Sequence, residues 1–184
     1  AWKTAEHAAE EGAKFVLTNT PVGMRFGTIN ELAEKYNTIV IPADATKTED
    51  LELLITKATE YLGGKLDFVL HSIGMSPNVR KGNSYDDVSA MSFHKVLQVC
   101  HKLDAVNEWG SIVALTFIAS GRTFCNYNDM ADAKAMLESI GRSFGYIYGR
   151  EKHVRINTIS QSPTKTTAGS GITGFNNLVD YADW

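Results

Sequence analysis

Cysteine is scarce in this chain of 184 residues: Cys100 and Cys125 are the two, far apart and without metal-ligand spacing. That excludes a disulfide scaffold and a cysteine-based metal site, and it suits buried thiols in a reducing compartment. Proline is rarer than average, with four, and there are no internal repeats and no Pro-rich linker, so one domain spanning residues 1–184 is expected. Excess charge is lacking too. A net charge of −3 gives no bulk pull toward nucleic acid. No apolar run approaches the roughly 18 residues a membrane helix needs. The glycine-rich phosphate loop that opens a dinucleotide-binding fold is also missing, because the chain starts at Ala1 inside a helical pattern.

What is present alternates. Ala1 to Glu11 reads as a helix closed by Gly12, and KFVLTN (Lys14–Asn19) as a strand. Thr28 is placed to cap the helix INELAEKY, with Glu31 at the capping-box position. TIVIP (Thr38–Pro42) is a second strand, Glu49–Leu62 a helix, and LDFVLHS (Leu66–Ser72) a third strand. A helix over Ser89–Asn107, a strand over Ser111–Phe117, a helix over Asn128–Gly149 and a strand over Val154–Ile159 complete the pattern. Several strands are continuously apolar, which predicts a parallel sheet covered on both faces and a doubly wound, Rossmann-like α/β fold. The first and last strands of that fold are not found in these residues.

Such sheets bind ligands beyond the carboxyl ends of their strands. Asn19 and Thr20 follow the first visible strand, where an adenosine ribose is contacted. With Asn rather than an acid there, and Arg25 nearby, NADH and NADPH both stay open. Asp44 follows the second strand, and two readings stand level: acceptor for an exocyclic amine, or N-cap of the next helix. After the third strand comes HSIGM, in which Gly74 lets backbone approach a flat ligand and His71 reads as a hydrogen-bonded strand-end histidine.

The stretch NYNDMADAK sets Tyr127 seven residues before Lys134. Seven steps of 100° return nearly to the starting azimuth, so a helix puts both on one face, about 10 Å apart. A phenol beside a fixed cation is a good proton or hydrogen-bond donor. A core tyrosine with a solvated lysine is the plainer alternative. The loop from Ser160 to Ser170 is dense in hydroxyls, which suits a diphosphate or carboxamide lid as well as an ordinary flexible loop.

Taken in order, HSIG, LTF, NYNDMADAK, VRINTIS and SPTKTTAGSGI resemble the enoyl-acyl-carrier-protein reductases, the divergent branch of the short-chain dehydrogenase/reductases. The resemblance runs from Ala1 to Trp184, and the Tyr–Lys spacing of seven separates this branch from relatives that use four. It implies reduction of trans-2-enoyl thioesters on acyl carrier protein by NADH, NADPH staying open, as the last step of fatty-acid elongation. It also implies a cytoplasmic homotetramer with no metal. Tyr127 and Lys134 would be catalytic. Asn19, Thr20, Asp44, Ala45, Ser72, Ile73, Gly74, Lys134, Pro163, Thr164, Lys165, Thr166, Thr167 and Ala168 would hold the cofactor, and Met75, Ser76 and Phe117 would meet the acyl chain.

Phe117 stands where many members carry a second tyrosine, so it shapes a pocket and donates nothing. The loop between Tyr85 and Asp86 is shorter than the family pattern. On that pattern the first and final strands and the segment after Trp184 are also wanting. Lys14–Asn19 and Leu66–Ser72 would then each carry an unpaired edge, and the isolated chain would be poorly stable and bind NADH weakly. Arg80 and Lys81 offer a basic pair to an acidic carrier protein. Two other readings remain: a carbonyl or alcohol reductase on the same fold, and a dinucleotide-binding relative without catalysis.

Overall fold

The computed structural model describes residues 1–74, 84–123, 128–162 and 179. Helices and strands alternate: α1 (Trp2–Glu10), β1 (Leu17–Asn19), α2 (Thr28–Lys35), β2 (Val40–Pro42), α3 (Thr48–Leu62) and β3 (Leu66–His71) come first. A π-helical turn (Asp86–Met91) leads into α4 (Ser92–Lys102), followed by β4 (Val106–Thr116), α5 (Asn128–Lys152) and β5 (Arg155–Ser160). The α/β alternation is the one the sequence predicts.

The strands form two sheets. β1 and β2 pair in parallel, Leu17 beside Val40 and Asn19 beside Pro42. The second sheet has the order β3-β4-β5, with β4 and β5 parallel from Ser111 beside Arg155 to Thr116 beside Ser160. Leu66 N–H donates to Ala105 O, and the Asn107 amide reaches Asp67 at 2.8 Å, so β3 and β4 start side by side and run the same way. β1 and β3 thus belong to different sheets.

The chain divides into two compact units, residues 1–67 with 95–107 and residues 68–94 with 108–184. In the first, Leu32, Ile41, Leu51, Ile55, Leu97 and Val99 are buried. In the second, Phe93, Ile112, Ala114, Leu137, Tyr148 and Val154 are buried, and α5 packs against β5 and the π-helical turn.

Helix ends follow one rule. Gly12, Asn37, Gly63 and Asp104 all take positive φ just past α1, α2, α3 and α4. Each is followed by a residue whose N–H returns to the last turn, as Gly64 does to Thr59 O and Ala105 to Cys100 O. Asp104 corrects the sequence reading, which carried the fourth helix to Asn107. The left-handed turn there ends α4 at Lys102, and Val106 and Asn107 open β4. At the start of α2 the N-cap is Gly27, at φ 75°, not Thr28, and no side chain caps this helix. Glu31 in the first turn keeps a favourable charge for the helix dipole. The last strand is not covered on both faces: Ile156 and Thr158 are half-buried while Asn157 and Ile159 are exposed, because α5 packs on one side.

Gly63 has open space where a Cβ would stand, so its need for glycine is purely conformational. Gly63→Ala should therefore lower unfolding stability by about 1 kcal/mol. Denaturant melts of the two proteins measure this, and equal midpoints would contradict it.

Candidate active site

In the first unit, the carboxyl ends of β1 and β2 meet where Ala43 N–H donates to Asn19 O at 3.0 Å. The Asn19 side chain folds back to accept Thr20 N–H at 2.8 Å, and Thr20 Oγ1 accepts Gly23 N–H at 3.0 Å. A Cβ on Gly23 would crowd the end of the Asn19 side chain, so a larger residue here would displace that amide, while the backbone angles do not call for glycine. With Oδ1 engaged, Asn19 has its NH2 group to offer a ligand.

Asp44 accepts both the N–H and the hydroxyl of Thr46, at 3.0 and 2.7 Å, while its own N–H donates to Asp50. Burial pushes its carboxyl pKa up, but the Thr46 bonds and the nearby Lys47 and Lys95 charges outweigh this and hold it below the ordinary value. The N-cap of α3 is Lys47, so the capping role weighed for Asp44 is not the one it has. It fixes the turn instead, with Ala45 half-buried inside it and Lys95 Nζ bonded to Thr46 O.

In the second unit, β3 lies beside β4, which runs on past the end of β3. Ser72 and Ile73 are half-buried beyond β3, and Gly74 is exposed with nothing among the described residues near its Cβ position, so as far as they go its backbone is open to close approach. Beyond β4, Phe117 is half-buried with extended backbone before a short turn over Ile118–Ser120.

Lys134, in the second turn of α5, is 8% exposed. Its ammonium donates to Leu115 O at 2.7 Å. Burial lowers its pKa from 10.5 to about 8. Four residues on, Glu138 accepts Thr116 Oγ1 at 2.7 Å, so two turns of α5 grip the last residues of β4. Sequence reasoning missed Glu138, although its position one turn beyond Lys134 was a usable signal.

His71, the last residue of β3, is 3% exposed and close enough to Lys134 to feel its charge. Burial first, then that ammonium, lowers its pKa to about 3. The expectation of a hydrogen-bonded histidine holds for one nitrogen: Nε2 lies 2.8 Å from Ser92 Oγ, while Nδ1 finds no partner among the described residues.

The second unit thus brings Ser72, Ile73, Gly74, Phe117 and Lys134 to one rim. Tyr127, Met75, Ser76, Arg80, Lys81 and Pro163 to Ala168 lie outside the described residues. A groove of about 750 Å³ runs elsewhere, along β5 and α5 between Trp109, His153, Gly145 and Thr158. It contains neither Lys134 nor the Ser72–Gly74 turn, and chemistry places the site at the rim. Among the described residues no group of His, Cys, Asp and Glu is arranged to hold a metal, and no helix is long and apolar enough to cross a membrane.

The neutral His71 makes acid sensitivity an expected property. Unfolding releases an imidazole with a pKa of 6.5, so the unfolded chain takes up a proton that the folded chain refuses until about pH 3. Stability should therefore be lost as pH falls from 6.5 toward 3, and His71→Gln should flatten that slope in denaturant melts across this range. Equal slopes would contradict the assignment.

Comparison with known proteins shows the family. A family model described as "Enoyl-(Acyl carrier protein) reductase" matches residues 1–183. The enoyl-[acyl-carrier-protein] reductase [NADH] 2 of Rhizobium meliloti is 31% identical over 193 aligned positions, covering 98% of this chain and 70% of the relative. A crystal structure of a FabI-NADH complex from Alistipes finegoldii superposes with a TM-score of 0.92 at 65% identity, covering 98% of this chain and 68% of that one. The NADH enoyl-[acyl-carrier-protein] reductase structure from Aquifex aeolicus has a TM-score of 0.82 at 28% identity, covering 96% of this chain and 72% of that one.

Proposed function

Because the chain belongs to the enoyl-(acyl carrier protein) reductase family, we propose that it reduces trans-2-enoyl thioesters on acyl carrier protein to saturated thioesters, with NADH as reductant. The observation that carries the reading into this chain's own residues is Lys134. A buried ammonium, with a carbonyl partner and further N–H donors, sits at the carboxyl end of β4, within electrostatic reach of His71 at the end of β3. Burying a charge so costs stability unless it is used, and rims of this kind are where such folds hold their ligands.

The residues present fit a dinucleotide. Asn19 offers amide N–H groups to the adenosine ribose with Thr20 beside it. The Asp44–Ala45 turn flanks the adenine, and Ser72, Ile73 and Gly74 line the path with backbone. Pro163, Thr164, Lys165, Thr166, Thr167 and Ala168 cover the diphosphate and nicotinamide, and Met75, Ser76 and Phe117 meet the acyl chain.

When bound, NADH supplies the hydride that the β-carbon of the enoyl thioester accepts. Negative charge then grows on the thioester oxygen. Tyr127 donates its hydrogen bond to that oxygen, and a donor placed where charge develops acts on the transition state more than on the substrate. Lys134 gives its remaining donors to the nicotinamide ribose hydroxyls and keeps the local field positive, which favours the anionic oxygen. Phe117 donates nothing, so a single tyrosine carries the polar part of the step. In this reading residues 1–184 work as one catalytic domain of a cytoplasmic homotetramer. Met136, Tyr146 and Ile147, exposed along α5, support the oligomer as apolar surface of the kind a second copy covers.

The test follows nicotinamide absorbance with crotonyl thioester. Tyr127→Phe should lower kcat about 10²-fold or more while the KM for NADH changes little, and full turnover in the variant would remove the role given to Tyr127. The lysine sets the pH behaviour. Its ammonium is present below about pH 8 and lost above it, so kcat/KM for NADH should decline as pH rises through that value. A profile flat to the ordinary lysine value of 10.5 would contradict this.

A further inference from the structure

His71 is assigned no part in the chemistry above, yet two buried contacts fix it. Nε2 is 2.8 Å from Ser92 Oγ, and the imidazole leans on Phe93 with ring centroids 5.1 Å apart. Ser92 and Phe93, both fully buried, open α4. The hydrogen bonds also settle the tautomer. A serine hydroxyl has one proton to give, and Ser92 gives it to Val88 O at 2.6 Å, the closer of two carbonyls; Ser89 O lies at 3.2 Å. With that proton spent on Val88 O, Ser92 Oγ is assigned as the acceptor from His71 and Nε2 as the nitrogen that carries the hydrogen.

Three residues follow His71 directly: Ser72, Ile73 and Gly74. Among the described residues Gly74 has no neighbour within 4 Å of its Cβ position, so the described support of this stretch lies at its near end. Its backbone direction is set at the near end, where β3 stops.

We propose that His71 is the positioning residue of the cofactor turn. Its Nε2–H, held by Ser92 and braced by Phe93, locks the end of β3 to the start of α4, so that the backbone of Ser72–Gly74 meets the nicotinamide half of the cofactor already ordered. The proposal rests on the reading of that turn as cofactor-lining. It concerns binding: the imidazole touches no reacting atom, and a turn that must be ordered on binding weakens affinity.

The test uses the full chain and reads the NADH Kd by nicotinamide fluorescence, alongside KM and kcat with crotonyl thioester. His71→Leu and Ser92→Ala should each weaken NADH binding about tenfold, with kcat held within about twofold. The two effects should not add in the double variant, because both remove one bond. His71→Gln places an N–H where Nε2 stands and should bring Kd back to within about threefold of wild type. A merely structural histidine would lower the melting temperature of His71→Leu and leave Kd unchanged, which overturns the proposal. So does a loss of kcat at unchanged Kd, or a failure of His71→Gln to restore binding. If His71→Leu does not fold, Ser92→Ala, which removes one oxygen, decides between the same outcomes. Wild-type chain that binds NADH but does not turn over crotonyl thioester would instead sink the functional reading and leave the proposal to stand or fall on Kd.

Discussion

A buried ammonium is the constraint from which the second unit is organised. Lys134 is nearly sealed from solvent, and a charge removed from water must be paired or hydrogen-bonded. Its partner is the carbonyl of Leu115, one residue short of the end of β4. That bond requires the start of α5 to lie against the end of β4, and the Thr116–Glu138 bond repeats the requirement one turn later. The rest of the 25-residue helix then runs down β5. Gly141, Gly145 and Gly149 face that strand, where added Cβ atoms would lie 3.5 to 3.7 Å from Thr158, Ile156 and Val154. Small residues at i, i+4 and i+8 let the helix sit low on the sheet, and a low helix brings the ammonium to the rim.

The first unit solves a different problem with local bonds. No buried charge anchors it; Asn19 and Asp44 each bond to the residue one or two places ahead, and Gly23 makes room for the amide. These turns fix polar groups at the ends of β1 and β2 mainly through near neighbours in sequence, with Lys95 on Thr46 O as the long-range addition. Among polar groups that could meet a dinucleotide, those in this unit are therefore set by short-range sequence. Lys134 and His71 are set by packing between elements far apart in the chain.

That difference explains what could be read in advance. The order of helices and strands was legible because apolar runs, Gly12 and Gly63 punctuate it locally. Lys134 stood out by its spacing from Tyr127, and the structure places it against the end of β4. The end of α4 was not legible, since Asp104 adopts a left-handed turn that an aspartate signals far more weakly than a glycine. Thr28 looked like a cap because threonine often is one, but the preceding glycine at positive φ took the position. Ser92 gave no signal at all. Its importance comes from a histidine 21 residues away, and no local pattern encodes that pairing.

The account is tested most directly at the lysine nitrogen itself. With ¹⁵N-labelled lysine, the Lys134 Nζ resonance, assigned by Lys134→Met, can be followed through an NMR pH titration. A midpoint near 8 is predicted, the value that burial beside a lone carbonyl imposes. An ordinary midpoint of 10.5 would mean that the ammonium lies in water, and the rim would then lack the cation on which the assigned chemistry depends.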